Sequence, residues 1–230
     1  MNPKRATENP PVEPAGPPTG ARDPRPLVAF DFDRTLTRRD TMRLFLLTVS
    51  DWRTVTIAFL RHMPQLASAL RGDSARNRAK ELICFDILRG LTSKDAEDAA
   101  AKTAEAIQRS LMRADALIRL RWHQAQGHRI IVVSASFEAY VKLVATSLGI
   151  REVIATKWEV DPTKNVLTGR LDGVNVRGDA KVDLIANLIA GPCILEYAYG
   201  NSHGDAAMLA RAKHPVWVGR RPIPGLGHTP

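Results

Sequence analysis

The sequence predicts an α/β protein: a doubly wound, mainly parallel Rossmann-like sheet with an all-helical cap inserted after the first strand. Three observations predict it. From about residue 127 onward, short strand-forming runs alternate with helical runs, the pattern of a parallel sheet covered on both faces. One further strand-like run, Leu27-Val28-Ala29-Phe30-Asp31, stands far upstream of the others. Between them, residues 40–126 carry helical periodicity and no strand signal.

Each element has its own signal. Residues 1–26 are dominated by proline, glycine, alanine and charge, which cannot bury enough apolar surface to offset the entropy of ordering, so a disordered leader is expected. The tail, residues 221–230, has a similar composition and is expected to be flexible. After the first strand, Met42, Leu44, Phe45, Leu46 and Val49 mark one helix. Val55, Ile57, Phe59, Leu60, Met63, Leu66 and Leu70 mark the next, stopped near Gly72. A third runs through ARNRAKELICFDILRG to a stop at Gly90. Thr92 and Asp95 resemble a capping box for an alanine-rich fourth, and a fifth ends near Gly127. Then follow the buried-strand run HRIIVVSAS, a helix over 137–148, the strand EVIATKWEV and a short ribbon in NVLTGRLDG. Helix DAKVDLIANLIA, strand CILEYAYG, helix DAAMLARA and strand HPVWVG complete the order. This divides the chain into an α/β core, residues 27–39 and 127–220, and a helical cap, residues 40–126.

With 230 residues the chain accommodates one domain, or a compact core and an insert. A formal charge of +9 and a pI near 10.0 point to an anionic partner: a phosphorylated metabolite, nucleic acid or an acidic membrane surface. No aromatic-rich basic stripe accompanies the excess, so nucleic acid is not expected among the partners. Cys84 and Cys193 are far apart and lack metal-ligand spacing; they read as reduced, packed thiols. No run is long enough to span a bilayer and none resembles a signal-peptide core, so a cytoplasmic location is expected.

In open α/β sheets, ligands bind beyond the carboxyl ends of the strands. Those ends here are rich in polar groups. Strand one runs into Asp31-Phe32-Asp33-Arg34-Thr35, the second into Ser134-Ala135-Ser136, and a later one into Gly200-Asn201-Ser202-His203-Gly204-Asp205; Lys181 opens a helix after Gly178-Asp179. Two acids one residue apart just past a strand can serve one cleft. One carboxylate can attack phosphorus, and the other can protonate the leaving oxygen and later deprotonate water. Acids facing a phosphate dianion need a cation between them, and hard oxygen donors suit Mg²⁺. Ser134 and the amides after it favour an anion near a helix N-terminus, while Lys181 supplies positive charge to phosphoryl oxygens.

DFDRTLT, VVSAS, GDAKV and YGNSHGDAAML together resemble the four ordered motifs of the haloacid dehalogenase superfamily, in its phosphoserine-phosphatase-like branch (subfamily IB) with a helical cap after the first strand. The likeness runs from about Leu27 to Gly219. It implies a phosphatase with Asp31 as nucleophile, whose phosphorylated form is an aspartyl-phosphate, and Asp33 as general acid/base. It also implies Thr35 bracing the loop, Ser134 and Lys181 on phosphate, and Mg²⁺ served by Asp31, Asp33, Asn201 and Asp205. Asn201 stands where that family carries an aspartate, which removes one negative charge from the metal site. Arg34 stands where many relatives carry glycine or another small residue.

The substrate stays open between a small phosphorylated metabolite and a lipid phosphate. Asp40 is placed either to contact a substrate's amino group or to N-cap the next helix. The apolar helix from Trp52 to Leu66, flanked by Arg53, Arg61, His62 and Arg71, either forms the core of the cap or rests on an anionic membrane. The alternative function is a phosphate-ligand binding or regulatory protein whose turnover is impaired by Asn201.

Overall fold

A computed structural model of the chain describes residues 23–68, 73–219 and 223. The leader and tail expected from composition, and the helix stop at Gly72, lie almost wholly outside the described residues. Six strands form one sheet: β1 (Leu27–Phe30), β2 (Arg129–Phe137), β3 (Glu152–Asp161), β4 (Val166–Asp172), β5 (Leu195–Gly200) and β6 (Ala212–Trp217). Their order is β4-β3-β2-β1-β5-β6. All neighbours run parallel except β3 and β4, which form the antiparallel ribbon read from NVLTGRLDG.

β1 explains why this sheet holds together. Its four residues are all buried, and the side-chain period of two sends them to opposite faces. Val28 and Phe30 join a cluster with Val132, Tyr140 and Tyr199; Leu27 and Ala29 join one with Ile131, Val133, Ile185 and Met208. Phe30 stacks on Tyr199 with ring centroids 4.3 Å apart. Burying a ring of that size contributes about 1.5–3 kcal/mol. Because β1 pairs with β2 on one side and β5 on the other, the order reverses at β1, and the carboxyl ends of these three strands converge.

The insert holds α1 (Met42–Val49), α2 (Trp52–Arg61), α3 (Met63–Ser68), α4 (Asp73–Leu88), α5 (Ser93–Ser110) and α6 (Ala114–Ala125). The single helix expected from Val55 to Leu70 is broken at His62. Pro64 has no N–H to continue the ladder of α2 but is tolerated in the first turn of α3. Thr92 N-caps α5 as expected, accepting from Asp95 N at 3.1 Å. The span 40–126 takes in α6, which lies on the sheet. Its buried His123 meets Phe30 edge-on and places Nε2 2.9 Å from the Tyr199 hydroxyl and Nδ1 2.8 Å from Nδ1 of His128. The apolar period of α6 predicts a helix and does not say which layer receives it. The remaining helices are α7 (Glu138–Ser147), α8 (Asp179–Leu188) and the short α9 (Ala206–Leu209).

Candidate active site

Beyond β1 the chain turns sharply. Asp31 N donates to Tyr199 O at 2.8 Å, which locks the end of β1 to β5. Residues 32–36 then coil into one tight turn, closed by Thr37 N on Phe32 O at 3.0 Å. Arg34 takes the left-handed region there (φ 57°), where a side chain costs about 1 kcal/mol relative to glycine. That gives a backbone reason for the small residue expected at this position.

The turn aims Asp31 and Asp33 at different partners. Thr35 Oγ1 donates to Asp31 Oδ2 at 2.9 Å, and Lys181 Nζ donates to Asp31 Oδ1 at 2.8 Å. Lys181, in the first turn of α8, is 1% exposed. Its ammonium also donates to Asp205 Oδ1 at 2.6 Å and to Val133 O at 2.7 Å. Burial opposes its charge, but Asp31 and Asp205 outweigh that and raise its pKa. For Asp31 burial is the largest influence and pushes upward, Lys181 opposes it, and Asp205 adds repulsion. Taken as ions, two carboxylates and one ammonium leave the triad one negative charge, suited to a cation.

Asp33 is held apart from this triad. Its Oδ1 accepts from Thr41 N at 2.9 Å and Thr41 Oγ1 at 2.6 Å, and its Oδ2 accepts from Ser136 Oγ at 2.5 Å. Burial, then the charge of Asp40, push its pKa up to about 7, against the hydrogen bonds from Ser136 and Thr41. A carboxyl near 7 both gives and takes a proton at neutral pH. Ser134 is buried, and its Oγ accepts from Ser136 N at 3.0 Å. Asp40, one residue before the N-cap Thr41 of α1, accepts from Met42 N at 3.0 Å.

Asp205 completes the frame. Its Oδ2 accepts from Asn201 N at 3.1 Å, Ser202 N at 2.9 Å and Ser202 Oγ at 2.8 Å. With Oδ1 on Lys181, both its oxygens are engaged, so Asp205 braces Lys181 and the loop. The backbone of Gly200 passes so close that an added Cβ would lie 2.5 Å from Asp205 Cβ. Asn201 is half-buried, and its side chain makes no hydrogen bond among the described residues. No cluster of three or more His, Cys, Asp or Glu suited to a metal occurs among the described residues. The donors on offer are the Asp31 carboxylate, the Asp33 backbone carbonyl and the Asn201 amide. All are hard oxygens, and Mg²⁺ commonly keeps several waters beside one or two carboxylates, so the set fits that ion.

The structure thus joins Asp31, Thr35, Lys181 and Asp205 in one hydrogen-bonded chain, with Ser134 and Asp33 linked through Ser136. Ser136 and Thr41 were not singled out from sequence. For Ser136 a signal existed: in Ser-Ala-Ser on a strand, the first and third residues share a face.

The haloacid dehalogenase-like hydrolase profile matches residues 28–210. The chain belongs to the haloacid dehalogenase-like hydrolase family. Among its relatives is Protein CicA of Caulobacter vibrioides, 35% identical over 200 residues, covering 85% of this chain and 87% of that one. The fold is shared with a Bordetella pertussis protein of unknown function at TM-score 0.67 and 22% identity, covering 81% of this chain and 86% of that one. It is also shared with a substrate-bound phosphoserine phosphatase at TM-score 0.57 and 19% identity, covering 83% of this chain and 84% of the other. This family hydrolase therefore has the phosphoserine-phosphatase-like architecture expected from its four motifs.

Proposed function

We propose that this hydrolase is a Mg²⁺-dependent phosphomonoester phosphatase that works through an aspartyl-phosphate on Asp31. The observation that carries the reading is the division of labour between two acids. Asp31 is paired to a buried lysine, and Asp33 stands near 7 with three hydrogen-bond donors fixing its carboxyl. Asp31, the Asp33 carbonyl and Asn201 would hold Mg²⁺, which would supply positive charge against the phosphoryl oxygens.

A carboxylate oxygen of Asp31 forms a bond to phosphorus as the ester P–O bond breaks. The departing oxygen takes its proton from the Asp33 carboxyl. Asp33, now a carboxylate, accepts a proton from a water molecule whose oxygen bonds to phosphorus. The bond to Asp31 then breaks and releases inorganic phosphate. Ser134 holds a phosphoryl oxygen during both transfers, Lys181 supplies positive charge beside Asp31 and the phosphoryl group, and Thr35 keeps Asp31 in line.

Among substrates, a lipid phosphate is favoured by the outer face of α2. Trp52 and Leu60 are 65% and 63% exposed, with Ile57 and Met63 beside them. No acidic residue occurs from Trp52 to Ser68. Of the two readings of this helix, core accounts for Val55, Ala58 and the partly buried Phe59, while the outer stripe suits contact with an anionic membrane. Flotation with vesicles containing an anionic phospholipid should carry the protein upward, and Trp52→Ser with Leu60→Ser should leave it at the bottom. Both cysteines are free and buried, in keeping with a cytoplasmic protein. A second reading, a phosphate-binding regulator of impaired turnover, is favoured only by Asn201.

Phosphate release from a panel of esters, with and without Mg²⁺, tests the proposal. Release that requires the metal and vanishes in Asp31→Asn is expected. Folded protein that releases nothing at millimolar Mg²⁺ would leave the regulator.

A further inference from the structure

The cleft between cap and core has a volume of about 820 Å³, and its walls are unlike those needed for a phosphate alone. Arg34, Arg38, Arg39, Arg43, Lys80 and Arg177 line it, against only Asp33 and Asp40 among acids. The arginines from 34 to 43 and Lys80 form no ion pair among the described residues. Elsewhere on the surface, by contrast, Arg61, Arg109, Arg113, Arg129 and Lys213 do. Six cations against two acids around one cleft imply a ligand that brings its own negative charge.

Lys80 is the best placed of them. It projects from α4 of the cap across to the core, where Nζ donates to Ala135 O and, at 2.7 Å, to Asn175 Oδ1. Ala135 lies between Ser134 and Ser136, so this ammonium reaches the loop proposed to bind phosphate. It also stands 5.2 Å above the Phe137 ring. Its direct contacts are a carbonyl, an amide oxygen and an aromatic face; Asp33, Asp40 and Glu81 act on it through space without an ion pair. Burial lowers its pKa to about 8, which leaves it mostly protonated at neutral pH. The acid that could read a substrate's ammonium, Asp40, accepts from Met42 N with one oxygen and is outnumbered in the cleft by Arg34, Arg38, Arg39 and Arg43. The same cleft is also lined by the apolar side chains of Leu44, Leu47, Phe59 and Ile83.

Resting on the phosphatase reading above, we infer that the substrate is a phosphomonoester bearing a second anionic group, a carboxylate or another phosphate, which Lys80 and the arginines of residues 34–43 receive while an apolar segment lies against the apolar side chains of the cleft. A zwitterionic phosphoamino acid fits this cleft poorly, because its ammonium would meet cations.

The test compares four esters of one chain length: butyl phosphate, 4-phosphonooxybutanoate, 1,4-butanediol bisphosphate and 4-aminobutyl phosphate. The wild-type kcat/KM should be about tenfold or more higher for the two anionic esters than for butyl phosphate, equivalent to ~1.4 kcal/mol, and lowest for the amine. The carboxylate and bisphosphate arms separate the two anions. In Lys80→Met the ratio of anionic to neutral ester should fall mainly through KM, and Lys80→Arg should restore it. Arg43→Gln serves as the second variant should Lys80→Met fail to fold. Equal kcat/KM for butyl phosphate and both anionic esters in the wild type would overturn the inference and leave the phosphatase standing. A ratio unmoved by Lys80→Met and Arg43→Gln would overturn the assignment of the cations. Should no ester be turned over, the phosphatase reading fails instead. Calorimetry with 4-phosphonobutanoate against butylphosphonate then decides the second anion without turnover, equal affinities refuting it.

Discussion

Lys181→Met is the perturbation that most fully exposes how the site is built. In the wild type one ammonium, 1% exposed, satisfies Asp31, Asp205 and Val133 O at 2.8, 2.6 and 2.7 Å. Methionine has nearly the same length and no charge, so packing changes little and the electrostatic loss dominates. Removing one partner of a buried ion pair costs roughly 3–5 kcal/mol, because the other charge remains buried. Here two carboxylates are left facing one cavity, so the upper part of that range is expected at about pH 8. The sign with pH follows. Without the ammonium, burial and mutual repulsion raise the folded-state pKa of one carboxyl above its unfolded value. Its proton then stabilises the fold at low pH, and that stability is lost as pH rises through the folded pKa. Stability should therefore return by about 1.4 kcal/mol for each pH unit lowered in that window. Urea unfolding of both proteins between about pH 8 and about pH 6 measures this. Adding Asp205→Asn should recover part of the loss, since it removes the second unpaired charge. A variant within about 1 kcal/mol of wild type at the higher pH, or with a flat pH profile, would refute the reasoning.

Four further outcomes are expected. Asp40→Asn removes the second-largest upward influence on Asp33, so the alkaline limb of kcat/KM, set by loss of the Asp33 proton near pH 7, should move to lower pH; an unmoved limb would argue against Asp33 as the acid. Asn201→Asp adds a charged oxygen to the proposed metal donors and should lower the Mg²⁺ concentration giving half-maximal phosphate release. Gly200→Ala forces a Cβ to 2.5 Å from that of Asp205 and should destabilise by about 1–3 kcal/mol in denaturant unfolding, with loss of activity. His123, buried and held neutral with a pKa pushed down to about 3, must charge on unfolding in acid, so stability should fall as pH drops below 6.5. The loss should reach up to about 2 kcal/mol near pH 5, and His123→Gln should flatten that slope.

The core was legible because its signals are local. Leu27–Phe30 is apolar throughout since β1 is buried on both faces, and Thr92 with Asp95 announces α5 by hydrogen bonds three residues apart. The site was legible only through its motifs: Lys181 meets Asp31 across 150 residues, and no local pattern encodes that contact. Thr41 escaped notice because a threonine at a helix start reads as capping, whereas here both its N–H and hydroxyl serve Asp33. Lys80 resembled any charged residue on an amphipathic helix; only the folded cap shows it reaching Ala135 and Asn175. The outer stripe of α2 was read as core or membrane face because periodicity identifies an apolar side without saying what covers it.

The most direct test of the account is acid quenching of the enzyme during turnover, followed by mass spectrometry of its peptides. One phosphoryl group is expected on the peptide containing Asp31, sensitive to hydroxylamine and absent from Asp31→Asn. A phosphoryl group on any other residue, or turnover undiminished in Asp31→Asn, would contradict the central claim.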